Sequence, residues 1–414
     1  MKILHTSDWH LGRTLYGRSR HSEFEAFLDW LAGLVASRGI DMLVVSGDIF
    51  DTTTPGNRTQ ELYFSFLGRI IQSSCRHVVV TGGNHDSPTF LDAPKKLLKA
   101  FKVHVTGAVG ERAGEEVLVL RDGSGNPEVV VCAVPYLRDR DIRTVEPGES
   151  AEDKNRKLLE GVERHYAEVS RLAEEARKGI GEDVPVIATG HLFAAGGMTV
   201  DGDGVREIYV GSLARVAASA FPASFDYVAL GHLHVSQRVA DQERIRYSGS
   251  PIPMGFGEAG QKKLVLEIEF DGRTPSVTEI PVPCFQPLER LSGSLDELAM
   301  SIAALRAAGS SAWLEIDYRG DEASSFVQES LETAVAGSLL EIRRIRSVRS
   351  VREALRQAGD DETLEQLDPE AVFLRCLDAA GTGEEARPVL FECYREVLRS
   401  IHEEDTLAEG EAGA

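Results

Sequence analysis

Cysteine is scarce and scattered in this 414-residue chain. The five residues (Cys75, Cys132, Cys284, Cys376, Cys393) are odd in number and form no CxxC pair. That argues against a disulfide scaffold and a cysteine zinc site, and it suits a reducing compartment. No apolar stretch approaches the ~20 residues that span a bilayer, so no membrane contact is expected. The opening Met1-Lys2-Ile3-Leu4-His5 carries no basic segment with an apolar run and a small-residue cleavage site. A cytoplasmic location is therefore the expectation. A Gly-x-x-x-x-Gly-Lys-Ser/Thr loop is also missing, so any ATP dependence must come from another subunit. No internal repeat is visible.

Positive charge is in short supply as well. Lys plus Arg is 45 against 66 Asp plus Glu, giving −21. A free-standing nucleic-acid binder should instead carry a basic face. The imbalance is uneven, however. Residues 1–100 hold 11 basic and 10 acidic side chains, whereas residues 350–414 hold 6 and 17. The N-terminal part is thus close to neutral and compatible with a polyanionic substrate. Hydrophobic residues at 42% and charged residues at 27% are ordinary for a globular protein, and the length allows two domains.

Strand and helix alternate over the first 105 residues. Strands are expected at Lys2–Thr6, Met42–Val45 and His77–Val80, and helices at Ser22–Ser37, Gln60–Ile71 and from Pro88 to about Lys99. This βαβαβ order predicts an α/β layered domain with a partly parallel sheet. A hairpin is expected from Glu116–Arg121 and Glu128–Ala133, then a long charged helix over Ala151–Lys178. Further strands near Val184–Thr189, Glu207–Val210, Tyr227–Leu230, Gln237–Ala240, Arg244–Tyr247, Lys262–Phe270 and Ser276–Val282 read as a second sheet packed on the first. Three prolines between Pro281 and Pro287 mark a boundary. Beyond it lies a small α+β unit, with helices at Leu295–Ala307 and Ser325–Ala336 and strands at Ala312–Tyr318 and Leu340–Ser347. Pro369 to Glu404 reads as helical, with Val389, Leu390, Cys393, Tyr394, Val397, Leu398 and Ile401 on one face.

Polar residues recur just past the predicted strands. Asp8 and His10 follow the first and Asp48 and Asp51 the second, while Asn84, His85 and Asp86 follow the third. His191 follows a later strand, and His232 and His234 follow the next. Ligands gather beyond the C-terminal ends of strands in open α/β sheets. Seven candidate metal ligands result: Asp8, His10, Asp48, Asn84, His191, His232 and His234. Their mixed oxygen and imidazole chemistry favours manganese or iron, with zinc an alternative; magnesium usually prefers an all-oxygen shell. Seven ligands exceed one tetrahedral ion and suit two ions sharing a carboxylate. Taken singly, each motif is more often a cap or turn; five in order at strand ends are harder to explain structurally.

The motif order D-x-H, G-D-x-x-D, G-N-H-D, G-H and G-H-x-H resembles the calcineurin-type metallophosphoesterase superfamily. Ile3-Leu4-His5-Thr6-Ser7-Asp8-Trp9-His10-Leu11-Gly12 is similar to the opening of the SbcD nuclease family. So are Phe27-Leu28-Asp29-Trp30-Leu31, Val134-Pro135-Tyr136-Leu137-Arg138 and Tyr247-Ser248-Gly249-Ser250-Pro251-Ile252-Pro253. This family is the bacterial relative of the meiotic-recombination double-strand-break nuclease. The specific motifs cover most of residues 1–285, and only the layout is similar beyond.

The resemblance implies a two-sheet β-sandwich flanked by helices, a small α+β capping domain and a C-terminal helical segment. The expected division of the chain is a nuclease domain over 1–285, the cap over 286–349, a helical segment over 350–407 that docks a partner or packs on the chain's own cap, and a disordered tail over 408–414. Asp8, His10 and His234 would hold one divalent metal, and Asn84, His191 and His232 the other, with Asp48 bridging. His85 would act as general acid or stabilise the transition state, and Asp51 would orient it. The implied activity is hydrolysis of DNA phosphodiesters in repair and recombination. The implied partners are DNA and an SbcC-type coiled-coil ATPase, with a homodimer inside a heterotetramer. Candidate DNA contacts are Arg13, Arg18 and Arg20, then Arg138, Arg140 and Arg143, and the run Arg343, Arg344, Arg346 and Arg349. Phe64, Leu67 and Ile71 on the second helix are a candidate dimer face. The metal motifs alone leave open a phosphatase or phosphodiesterase of the same fold acting on a non-DNA substrate.

Overall fold

Short apolar runs of four to eight residues supply the strands of two sheets. The computed structural model describes residues 1–144, 149–194, 216–320 and 322–347, with 370, 373–374, 377 and 387–395. It divides into two compact units, Met1–Leu288 and Glu289–Ala414. In the first unit the strands are β1 (Lys2–Thr6), β2 (Thr14–Leu15), β3 (Arg18–Ser19), β4 (Met42–Ser46), β5 (His77–Thr81), β6 (Val103–Thr106) and β7 (Val117–Arg121). They continue as β8 (Pro127–Cys132), β9 (Val186–His191), β10 (Tyr227–Gly231), β11 (Gln237–Val239), β12 (Gln242–Tyr247), β13 (Leu264–Asp271) and β14 (Thr274–Pro281).

One six-stranded sheet runs β14-β13-β1-β4-β5-β6 and the other β11-β12-β10-β9-β8-β7. β1, β4, β5 and β6 are mutually parallel, as are β8, β9, β10 and β12. Antiparallel strands close most of the edges: β13 and β14 on one sheet, and β7 and β11 on the other. The central strands are mostly apolar because both faces are buried. Ile3, Met42, Val44 and Val79 meet Val129, Val131, Ile187, Tyr227 and Ala229 between the sheets. Leu4, Leu43, Val45, Val78 and Val80 point the other way, under the helices His21–Arg38 and Asn57–Ile71. The 28-residue helix Ala151–Lys178 covers the second sheet. Ser150 caps it, Glu152 and Asp153 sit in its first turn, and Arg177 and Lys178 in its last, all matching the helix dipole. Its Tyr166 hydroxyl donates to the Thr189 carbonyl (3.1 Å), two residues before His191.

The four layers, helix–sheet–sheet–helix, are the expected mixed α/β arrangement, with local departures. The helix expected from Pro88 to Lys99 is two short helices, Pro88–Asp92 and Lys95–Ala100. Pro94 between them has no N–H to continue the first. The edge strand β6 alternates valine with polar residues and was not expected. Nor was the small hairpin β2–β3 or the single helical turn Asp139–Ile142. The strand expected at Glu207–Val210 lies outside the described residues. No described helix is long and apolar enough to cross a membrane.

The second unit builds a three-stranded sheet from β15 (Leu288–Gly293), β16 (Trp313–Tyr318) and β17 (Glu341–Ser347). Helices Leu295–Ala307 and Ser324–Val335 pack on one face through Leu298, Ile302, Val327 and Leu331. Across the sheet, Arg290 pairs with Glu315 and Asp317, Arg344 with Glu315, and Arg346 with Asp317. Most of the segment expected over 350–407, and the tail 408–414, lie outside the described residues. Residues 387–395 are helical, and Val389 and Leu390 on them are exposed.

Candidate metal centre

The parallel strands of both sheets end at the same place, and the loops leaving them carry the candidate ligands. Asp8 and His10 follow β1, Asp48 follows β4, and Asn84 and His85 follow β5. His191 ends β9, and His232 and His234 follow β10. Four of these residues have left-handed backbones: Asp8 (φ 54°), His10 (φ 47°), Asp48 (φ 51°) and His232 (φ 102°). Such conformations cost energy in non-glycine residues and gather at functional sites. The neighbouring glycines answer a spatial demand. A Cβ on Gly83 would lie 2.1 Å from Asp48 Oδ1, and one on Gly231 would lie 1.9 Å from the Ser46 carbonyl.

Two clusters of donor atoms result. In one, Asp8, His10 and His234 converge, with His10 Nε2 facing His234 Nε2 at 3.2 Å. In the other, Asn84 Oδ1 lies 3.0 Å from His191 Nε2 and 3.1 Å from His232 Nδ1. Asp48 Oδ2 stands between them, 3.6 Å from His10 Nε2 and 3.2 Å from His191 Nε2. Asn84 and His85 are half-buried, and the other six are buried. Opposed lone pairs of this kind, sealed from water, fit cations placed among them. The donor set therefore fits two divalent ions.

Other contacts fix the ring orientations. His234 Nδ1 donates to Glu258 Oε1 (3.1 Å), and His191 Nδ1 donates to the Ser46 carbonyl (3.1 Å). Asp51 Oδ1 lies 3.3 Å from His10 Nδ1, though off hydrogen-bonding angle, and accepts from Arg13 (3.0 Å). The Asp51 carboxylate thus stands beside His10, in a cluster that also includes His85. His85 Nδ1 donates instead to the Asp51 main-chain carbonyl (3.0 Å), and its backbone N–H donates to Asp48 Oδ1 (2.9 Å). A carbonyl only accepts, so the proton sits on Nδ1 and leaves Nε2 for other work. The ring lies edge-on to His10, with centroids 4.8 Å apart.

Charge follows this geometry. Burial pushes His10 down to about 4 and His232 to about 3, so both are neutral and ready to ligate at pH 7. Burial opposes ionisation of His191 too, but Asp48 beside it and Asp8 raise it to about 9. Burial would raise Asp48, yet His191, with His10 and His85, holds it well below the carboxylate range.

Three features were not assigned from sequence. Asp86 is buried and accepts from the N–H groups of Ile49 (3.1 Å), Phe50 (3.0 Å) and Gly83 (2.8 Å), tying two ligand loops together. It lies inside the G-N-H-D motif, but no local pattern points to the donors it meets. Glu258 and Lys263, which form a buried pair behind His234, lie far along the chain with no spacing signal. Some expected DNA contacts are spoken for. Arg20 is buried against Glu23 and the Pro253 carbonyl, and Arg143 is paired with Asp139 and Glu149. On the second helix Leu67 is core and only Phe64 of the expected dimer face is exposed.

Two layered sheets with candidate Asp, His and Asn donors gathered at their strand ends are the arrangement of a metal-dependent phosphoesterase. The family model described as Calcineurin-like phosphoesterase matches residues 1–236, and that described as Type 5 capsule protein repressor C-terminal domain matches residues 284–380. Curated relatives align over nearly the whole chain. The SbcD subunit of the nuclease SbcCD from Escherichia coli K12 is 35% identical over 97% of this chain and 98% of its own. The corresponding SbcD proteins of Rhodobacter capsulatus and Bacillus subtilis are 32% and 29% identical, over 90% and 98% of this chain and 93% and 100% of their own. The chain belongs to the SbcD nuclease family. Among solved structures, a family 1 β-glucosidase from Thermotoga maritima superposes at a TM-score of 0.19 with 10% identity, covering 83% of this chain and 84% of its own. A likeness that low says nothing about the fold.

Replacing Asp86 with Ala strips three buried N–H groups of their acceptor. The expected cost is about 2–4 kcal/mol in urea unfolding of the metal-free protein. A cost under about 0.5 kcal/mol would contradict its role as the tie between the loops.

Proposed function

We propose that this nuclease cleaves DNA phosphodiesters with two divalent ions, manganese first among them, held on either side of Asp48. The observation that carries the reading is Asp48 Oδ2 facing both His10 Nε2 and His191 Nε2. Asp8, His10 and His234 would hold one ion, and Asn84, His191 and His232 the other. Such a pair supplies positive charge for the phosphoryl oxygens and acidifies water near neutral pH. The donor set of imidazole, carboxylate and amide without thiolate supports manganese or iron ahead of magnesium.

The chain's own groups do the rest. His85, half-buried at the open side and fixed through Nδ1, presents Nε2 to the scissile phosphate. In its protonated form it would give a proton to the departing 3′ oxygen. Asp51 positions it through the main chain while its carboxylate steadies His10. On this reading residues 1–285 form the nuclease domain and 286–349 a cap. Residues 350–407 dock an SbcC-type coiled-coil ATPase, which supplies the ATP site the chain lacks. The exposed Val389 and Leu390 support docking there. A homodimer within a heterotetramer, acting on duplex ends and hairpins in the cytoplasm, completes the proposal.

Two measurements test it. With manganese, the chain and its ATPase partner are expected to degrade linear duplex DNA and open hairpins. His85→Gln should lower cleavage by at least about a hundredfold while both ions still bind. Loss of an ion in that variant would make His85 a ligand. Robust hydrolysis of a small phosphodiester with no DNA cleavage would overturn the substrate reading. Because His191 is held near 9 by Asp48, an ion must displace its proton. Manganese affinity should therefore rise from pH 7 to 9, with proton release on binding in weakly buffered titration. Flat affinity over that range would contradict the ligand role of His191.

A further inference from the structure

The two halves of the metal centre are built unequally. In the half formed by Asp8, His10 and His234, one ligand is a carboxylate and both histidines have a carboxylate behind them. Glu258 Oε1 accepts from His234 Nδ1 (3.1 Å), and Asp51 Oδ1 lies 3.3 Å from His10 Nδ1, close enough to act through its charge though not as a hydrogen bond. Each of these carboxylates is anchored by a cation: Lys263 on Glu258, and Arg13 on Asp51 at 3.0 Å. Glu258 has no exposed surface, and it also accepts from the Met254 N–H (3.0 Å) and the Ser250 hydroxyl (3.2 Å). It cannot swing away.

The half formed by Asn84, His191 and His232 has none of this. Its oxygen ligand is a neutral amide. His191 leans on a main-chain carbonyl (3.1 Å), and His232 Nε2 is buried with no hydrogen-bond partner among the described residues. A carboxylate behind an imidazole fixes its tautomer and raises its basicity as a ligand, whereas a carbonyl does this weakly. Ligand charge pulls the same way, since an anionic oxygen binds a divalent ion more strongly than an amide does. Asp48 is shared and cancels.

Resting on the two-metal reading above, we infer that the Asp8–His10–His234 position is the tight, resident one. The Asn84–His191–His232 position then exchanges its ion, and Glu258 is the positioning residue that sets the difference. Manganese added to the metal-free protein would fill the two positions in order. The exchangeable position is the one next to Asn84, on the half-buried side of the site.

The test is manganese titration of the full-length, metal-free chain, following free ion by electron paramagnetic resonance. Two steps are expected, separated by at least about tenfold. Glu258→Gln keeps the shape but lacks the charge, and it should weaken the tight step about 10- to 100-fold while leaving the weak step in place. Glu258→Asp should recover part of the loss. Ser250→Ala removes one hydrogen bond to Glu258 but keeps the carboxylate charge and its contact with His234, and should leave both steps within about twofold. Circular dichroism and thermal melting establish that each variant is folded; if Glu258→Gln is not, Glu258→Asp and Ser250→Ala carry the comparison. Two equal sites in the parent chain, equal weakening of both steps by Glu258→Gln, or an equal effect of Ser250→Ala would overturn the inference while sparing the two-metal reading. A parent chain that binds no manganese, or only one ion, would overturn both.

Discussion

The first unit depends on packing Asp8 and Asp48 into one buried pocket with His10, His191, His232 and His234. Bare carboxylates at that depth are expensive, and so are bare imidazolium ions. The protein meets the problem by opposing them. Burial and its neighbour Asp48 push Asp8 up, while His191 pulls Asp48 well down and is itself raised to about 9. Without ions this balance is a compromise, in which His191 and His234 are raised by the carboxylates beside them. Divalent cations placed among these groups would resolve it directly. Much of the surrounding architecture keeps the compromise in place, from the left-handed ligand backbones to the glycines where a Cβ would collide.

The two-sheet arrangement supplies the geometry. Parallel strands β1, β4 and β5 from one sheet and β9 and β10 from the other direct their C-terminal ends to the same rim. A single sheet could offer ligands only along a line; two sheets face to face offer them from two sides of a pocket. The interleaved aliphatic layer between the sheets sets the separation, because packed interiors deform little. The ligand distances are therefore a consequence of core packing. The backing of His234 is a separate layer of control, supplied by Glu258 from a loop distant in sequence.

Much of this was readable in the sequence, for physical reasons. Strands β1, β4 and β5 are continuous apolar runs flanked by glycine and acidic residues. The helix Ala151–Lys178 was legible as a long charged stretch between strands. The candidate donors stood out because metal chemistry demands specific side chains at strand ends. What escaped was whatever depends on distant pieces meeting. Glu258 behind His234, Asp86 receiving three N–H groups, and Asp51 standing beside His10 are facts of three-dimensional contact. Pro94 was a local signal that a helical pattern concealed. Arg20 shows the opposite error: a basic residue near a substrate site looked like a phosphate contact, yet its guanidinium completes a buried pair with Glu23.

The most direct measurement is anomalous X-ray scattering from crystals of the chain grown with manganese. Two peaks about 3.5–4 Å apart are expected, one on each side of Asp48 Oδ2. One should lie against His10 and His234, the other against Asn84, His191 and His232. A single peak, or peaks that leave Asp48 uncoordinated, would contradict the shared carboxylate at the centre of the site.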